Sequence, residues 1–93
     1  MTNKIQTKVI VKGRVQGVFY RDSTKNEADR LGVKGYVKNL VNGSVEAVFE
    51  GETTDVTHMI EWCYKGPSAS RVDHVQIQET ALISNFQTFE IRY

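Results

Sequence analysis

The stretch Val33-Lys34-Gly35-Tyr36-Val37-Lys38-Asn39-Leu40-Val41-Asn42-Gly43-Ser44-Val45-Glu46-Ala47-Val48-Phe49-Glu50 decides the fold. Asn42-Gly43 is the strongest short-range hairpin signal, because both residue types tolerate the backbone of a tight turn. Val33 to Val41 reads as one strand and Ser44 to Glu50 as its return. On the return strand Val45, Ala47 and Phe49 point inward while Glu46 and Glu50 point outward, and Gly51 ends it. Glu46 and Glu50, four apart on one side, are expected to form a solvated face rather than an acid/base pair.

Working outward, residues 5–12 alternate, with Thr7, Val9 and Val11 on one side and Lys8, Ile10 and Lys12 on the other, as a strand does. Asp22 to Leu31 is helix-tolerant, with Thr24, Ala28 and Leu31 on one face and Gly32 placed to stop it. Beyond the hairpin, Thr53, Thr54 and Asp55 offer N-caps for a helix striped by Val56, Met59, Ile60 and Cys63, closed by Gly66-Pro67. Strands follow at Val72 to Gln78 and at Phe86 to Arg92, the last carrying Phe89, Ile91 and Tyr93 on one side. The order is βαββαβ with an extra short C-terminal strand. Right-handed crossovers place both helices on one face of an antiparallel-dominated sheet, an α+β fold of the ferredoxin-like α/β sandwich type. At 93 residues the chain, 1–93, is expected to be a single domain. That fold serves enzymes, RNA binders and metal carriers, so function must come from a site.

Charge narrows the choice. Twelve basic and eleven acidic residues leave a net charge of +1, which lacks the electrostatic footprint of broad nucleic-acid binding. Lys34-Gly35-Tyr36 resembles the opening of an RNA-recognition signature, but Val37 and Lys38 break it where a small residue and an aromatic are needed. One cysteine, Cys63, excludes an internal disulfide and a thiolate zinc cluster. Met1-Thr2-Asn3-Lys4 leads directly into the strand pattern, without a signal-type apolar core, and no apolar run approaches 18 residues. The expectation is a soluble cytoplasmic monomer with no membrane or nucleic-acid partner.

The chemistry points to Gly13-Arg14-Val15-Gln16-Gly17-Val18-Phe19-Tyr20-Arg21. A short glycine-containing loop between a strand and a helix turns backbone N–H groups inward, and the helix start adds unpaired donors and the positive end of its dipole. Arg21 supplies a charged fork suited to phosphate or carboxylate. The alternative is a tight βα connection with a surface arginine. Asn39, near the end of its strand, reads either as a hairpin cap or as a polar group facing the loop. The two meet only if sheet twist and register bring them together across the strand between. His58 and His74 lack partners at ligand spacing, so no metal is expected. Cys63, in the helical stripe, reads as a buried thiol, and Trp62 as an edge-packing ring. The Gly-Lys-Ser/Thr of a nucleotide-binding P-loop does not occur.

Gly13 to Arg21 and Gly35-Tyr36-Val37-Lys38-Asn39 resemble, in order and spacing, the two signature segments of the acylphosphatase family. The likeness continues through Asn42-Gly43-Ser44-Val45-Glu46, Glu50-Gly51, Gly66-Pro67 and Arg71-Val72-Asp73-His74-Val75 to Phe89-Glu90-Ile91-Arg92-Tyr93. Two departures stand out: Ser68 where many relatives have proline, and Phe19 where glycine is frequent. The resemblance implies hydrolysis of the carboxyl-phosphate bond of acyl phosphates to a carboxylate and inorganic phosphate, with no metal or other cofactor. It also implies residue roles. Arg21 binds the phosphate, backbone N–H groups of Val15, Gln16, Gly17, Val18, Phe19 and Tyr20 wrap its oxygens, and Asn39 holds the attacking water. A domain that binds a small anion without chemistry would keep Arg21 and the loop but gives no reason for Asn39.

Overall fold

Alternation in the first strand and in the hairpin supplies one apolar side to each, and these sides merge. In the computed structural model, which describes residues 3–80 and 82–93, the elements run β1 (Lys4–Arg14), α1 (Tyr20–Leu31), β2 (Lys34–Asn39), β3 (Val45–Glu52), α2 (Thr53–Lys65), β4 (Arg71–Thr80) and β5 (Phe89–Arg92). Met1 and Thr2 lie outside the described residues. The sheet order is β4-β1-β3-β2-β5. All neighbours are antiparallel except β2 and β5, which run parallel. The expected βαββαβ order with an extra short strand is therefore present, and the extra strand lies at the edge beside β2.

Both helices pack on the sheet face that carries Val9, Val11, Val45, Ala47 and Phe49, and those five side chains are essentially fully buried. From α2 come Val56, Met59 and Cys63, three of the four residues of the expected stripe, with Ile60 half-buried beside them. Helix α1 begins two residues earlier than Asp22, and the difference matters. Tyr20 joins Thr24 and Ala28 on the buried face and gives a thin apolar helix its one large anchor. The Tyr20 hydroxyl donates to the Cys63 carbonyl at 2.8 Å, and its ring lies 5.5 Å from that of Trp62, so the two helices are joined at this point. Gly32 ends α1 in the left-handed conformation, its N–H reaching the Ala28 and Asp29 carbonyls.

Three expectations are corrected. The hairpin forms, but its strands stop at Asn39 and Val45, so the connection is longer than Asn42-Gly43. Leu40 and Ser44 pair across it through the Leu40 N–H and Ser44 carbonyl at 2.8 Å, and Asn42 Oδ1 accepts from the Ser44 N–H. None of Thr53, Thr54 and Asp55 caps α2. The N-cap is Glu52, without a side-chain bond, while Thr53 donates through both N–H and Oγ1 to the Asn3 carbonyl.

Third, Glu46 and Glu50 do face away from the helices, but neither is solvated: they are 8% and 0% exposed. The cause is what crosses that face. Glu50 accepts from Gln6 Nε2 at 2.9 Å and from the N–H groups of Ser84 and Phe86 at 2.7 and 2.9 Å, which pins the segment leading into β5 across the sheet. Glu46 accepts from the Tyr36 hydroxyl at 2.8 Å and is paired with Lys8 and Lys38 at 3.3 and 3.7 Å. These residues are therefore structural acceptors, and the pinned segment is why β5 starts only at Phe89.

Burial alone would push the Glu50 carboxyl up. The hydrogen bonds from Gln6, Ser84 and Phe86, with Lys4 nearby, outweigh it and hold Glu50 below its ordinary 4.5. A carboxyl lowered in the folded state stabilises the fold fully above its unfolded value and loses that contribution as pH falls through its folded value. Stability should therefore fall on acidification below 4.5, and Glu50→Gln should flatten that acid limb. Glu50→Ala, which strands three donors, is expected to cost about 2–4 kcal/mol at neutral pH. Urea unfolding across pH 3–7 measures both; an unchanged acid limb in Glu50→Gln would reject the assignment.

Candidate active site

Register brings the site together. Val11 on β1 and Asn39 on β2 both stand opposite Val45 of the strand between them. The end of β1, from which the glycine loop departs, is therefore level with the end of β2. β1 pairing with β4 shifts at Lys12/Gly13, a bulge two residues before the strand ends at Arg14. Gly13 has φ 133°, and a Cβ there would run into the Arg71 carbonyl. Glycine is required at that crossing.

The loop that follows is anchored by Val15 and Val18, whose side chains are buried in the core. Gly17 and Phe19 lie between and after them with φ 75° and 63°. This alternation rotates successive peptide units and leaves their N–H groups unspent. Among the described residues, none of the N–H groups from Gln16 to Phe19 donates to another protein group. Tyr20 then opens α1, whose first-turn donors and dipole face the same space. Phe19, the N-cap, offers no side-chain bond to them.

A cavity of about 380 Å³ is lined by Val15, Gly17, Phe19, Tyr20, Arg21 and Asn39, together with Asp22 and Tyr93. Arg21 and Asn39 thus share one cavity. The sequence left open whether Asn39 caps the hairpin, and the bonds decide: Asn42 Oδ1 serves the turn, and Asn39 Oδ1 is buried with no partner among the described residues. A buried amide oxygen without a partner is uncommon, and this one belongs to a residue that lines the cavity. Of the other expected site residues, Gln16 and Val18 have side chains outside the lining. Val18 is core. Gln16 Nε2 donates to the Leu40 and Ser44 carbonyls, both at 2.8 Å, so the donor left for an anion is its main-chain N–H.

Two features were not legible in the sequence. Tyr93 lies under the Arg21 guanidinium, 4.8 Å from ring centroid to Cζ, and Arg21 Nη1 donates to the Arg92 carbonyl at 3.4 Å. The end of β5 therefore holds the arginine, and only the parallel pairing of β5 with β2 puts it there. Asp22, an exposed first-turn acid, also borders the cavity; nothing in the structure explains a carboxylate at that place.

Other titratable candidates are withdrawn from chemistry. Burial pushes the Cys63 thiol up to about 12, and burial, with Cys63 adjacent, drives the Tyr20 phenol far above its ordinary value. His58 and His74 are exposed on separate elements. No helix of the described residues is long and apolar enough to cross a membrane.

A sequence model of the acylphosphatase family matches residues 7–91. The chain is 48% identical over 93 residues to an acylphosphatase of Geobacter metallireducens, with both chains covered completely. The crystal structure of an acylphosphatase from Bacillus subtilis superposes with a TM-score of 0.93 at 34% identity, covering 96% of this chain and 99% of that one. An acylphosphatase from Coxiella burnetii superposes at 0.92 and 37% identity, covering 97% and 94%. The fold, the cavity at the ends of β1 and β2 and these likenesses agree: the chain belongs to the acylphosphatase family, hydrolases of acyl phosphates.

Proposed function

We propose that this cavity hydrolyses small-molecule acyl phosphates by in-line attack of a water held by Asn39 on a phosphoryl group held by Arg21 and the loop N–H groups. The observation that carries the proposal is the unpartnered Oδ1 of Asn39, a residue that lines the same cavity as Arg21. That oxygen can accept one hydrogen bond from water and set its line of approach to phosphorus. It is not a base, because an amide does not take a proton usefully near neutral pH.

None is required. The leaving group is a carboxylate whose conjugate acid has a pKa of about 4–5 by analogy with side-chain carboxyls, so it departs without protonation. A loose phosphoryl-transfer transition state demands little of the nucleophile, and charge spreads over three phosphoryl oxygens. The Arg21 fork and the free N–H groups of Gln16 to Phe19 meet that charge with donors already oriented. As water's oxygen bonds to phosphorus, the P–O bond to the acyl oxygen breaks, and water's proton passes to a phosphoryl oxygen. The products are a carboxylate and inorganic phosphate. Stacking on Tyr93 and the bond to the Arg92 carbonyl hold the guanidinium in place before substrate arrives.

The purified chain should hydrolyse benzoyl phosphate in excess EDTA, with inorganic phosphate a competitive inhibitor; loss of turnover on chelation would overturn the cofactor-free reading. Asn39→Ala should lower kcat on the order of 10²–10³-fold while KM and phosphate inhibition change little, since water is held only for the reaction step. Normal turnover in that variant would remove the water-positioning role. Arg21→Lys should weaken phosphate inhibition and turnover together, because a point charge does not reproduce a two-pronged contact; steady-state kinetics with phosphate as inhibitor measures both.

A further inference from the structure

Phe19 is held in a conformation that its own chemistry disfavours. It sits at φ 63°, ψ 26° as the N-cap of α1, in the left-handed region, where a side-chain-bearing residue is strained and glycine is not. Asn85 is the only other non-glycine at positive φ among the described residues, and asparagine tolerates that region. Strain at a core position is repaid by packing. Phe19 receives no such return, because its side is 77% exposed. Helix capping does not account for it either, since phenylalanine makes no cap bond.

What Phe19 does border is the proposed catalytic cavity. Phe19 lines it with Arg21 and Asn39, and so does Tyr93, which is 98% exposed and lies under the guanidinium. Two open aromatic rings thus border a cavity of about 380 Å³, large enough for a small organic ligand rather than a phosphoryl group alone. Polar donors gather at Arg21 and the loop, where the phosphoryl end belongs. The apolar rings are left for the other end of the substrate.

We propose that Phe19, together with Tyr93, forms an acyl-binding lip that selects acyl phosphates with an aromatic or similarly broad apolar acyl group over those with a short one such as acetyl. The inference rests on the reading of the cavity as the acyl phosphate site. Its physical basis is the removal of apolar area from water on both partners, with ring-to-ring contact added when the acyl group is aromatic. This is a contact with the acyl side chain, separate from the part the Phe19 main chain plays at the phosphoryl group.

The test is the ratio of kcat/KM for benzoyl phosphate to that for acetyl phosphate, in wild type, Phe19→Gly, Phe19→Ala and Phe19→Tyr. Because both substrates share the phosphoryl group, the ratio cancels any change in how the loop grips phosphate, and inhibition by inorganic phosphate reports that grip separately. The ratio should fall about three- to tenfold in both Phe19→Gly and Phe19→Ala, as loss of one partly buried ring contact predicts, and stay within about twofold in Phe19→Tyr. An unchanged ratio in the glycine and alanine variants overturns the lip while leaving the hydrolytic reading intact. A wild-type chain inactive on both substrates overturns that reading and the lip with it.

Discussion

The carboxamide of Gln16 is the contact on which the site depends. The glycine loop and the end of β2 belong to strands that are not neighbours, because β3 runs between β1 and β2. Gln16 spans that gap from the loop, giving one hydrogen each to the Leu40 and Ser44 carbonyls at 2.8 Å. Each bond contributes only about 0.5–1.5 kcal/mol net. Their geometric effect is larger. They fix the residue next to Asn39 against the loop, and with Asn42 they meet the polar needs of the hairpin connection. The Asn39 oxygen is left without a partner among the described residues. A looser bridge would let the two halves of the site drift by the fraction of an ångström that positioning tolerates poorly.

Asp22 borders the cavity, but the buried carboxylates of the sheet are neutralised locally. Glu50, fully buried on β3, stands opposite Gln6 of β1. Lys4 Nζ lies 3.8 Å from Glu50 Oε1, so the Glu50 charge is answered where it sits. Glu46 is closer to the loop, but Lys8 and Lys38 stand beside it and the Tyr36 hydroxyl covers it. The Arg92 guanidinium lies over the Tyr36 ring at 4.1 Å, adding a further positive charge on that side. The face opposite the helices thus carries buried carboxylates whose fields are answered locally.

Elements with local signals were legible in the sequence, and features made by distant contacts were not. Strand alternation at Val9, Val11, Val45, Ala47 and Phe49 and the Gly32 stop depend on neighbours in the chain and appear as expected, while the hairpin at Asn42-Gly43 forms with a longer connection. The start of α1 was misplaced because its anchor, Tyr20, is followed by Arg21 and Asp22, whose polarity hides the apolar face. The burial of Glu46 and Glu50 is not legible in their alternation, because it is set by Tyr36 and by the segment before β5, remote in sequence. The juxtaposition of Arg21 and Asn39 depends on register across β3, and Tyr93 enters through a parallel pairing that no local pattern announces. Resemblance to a family named residues at the cavity; only the contacts reveal which side chains face it.

The placement of β5 ties the guanidinium to the weakest edge of the molecule. This strand has four residues, pairs on one side only, and still supplies both the carbonyl and the ring that steady Arg21. Short peripheral strands detach in subglobal openings that need far less free energy than melting the core. Such fraying would release the arginine while Phe49, Met59 and Val9 stayed packed. Loss of the contacts that hold Arg21 and loss of the global fold are therefore separable events in this chain.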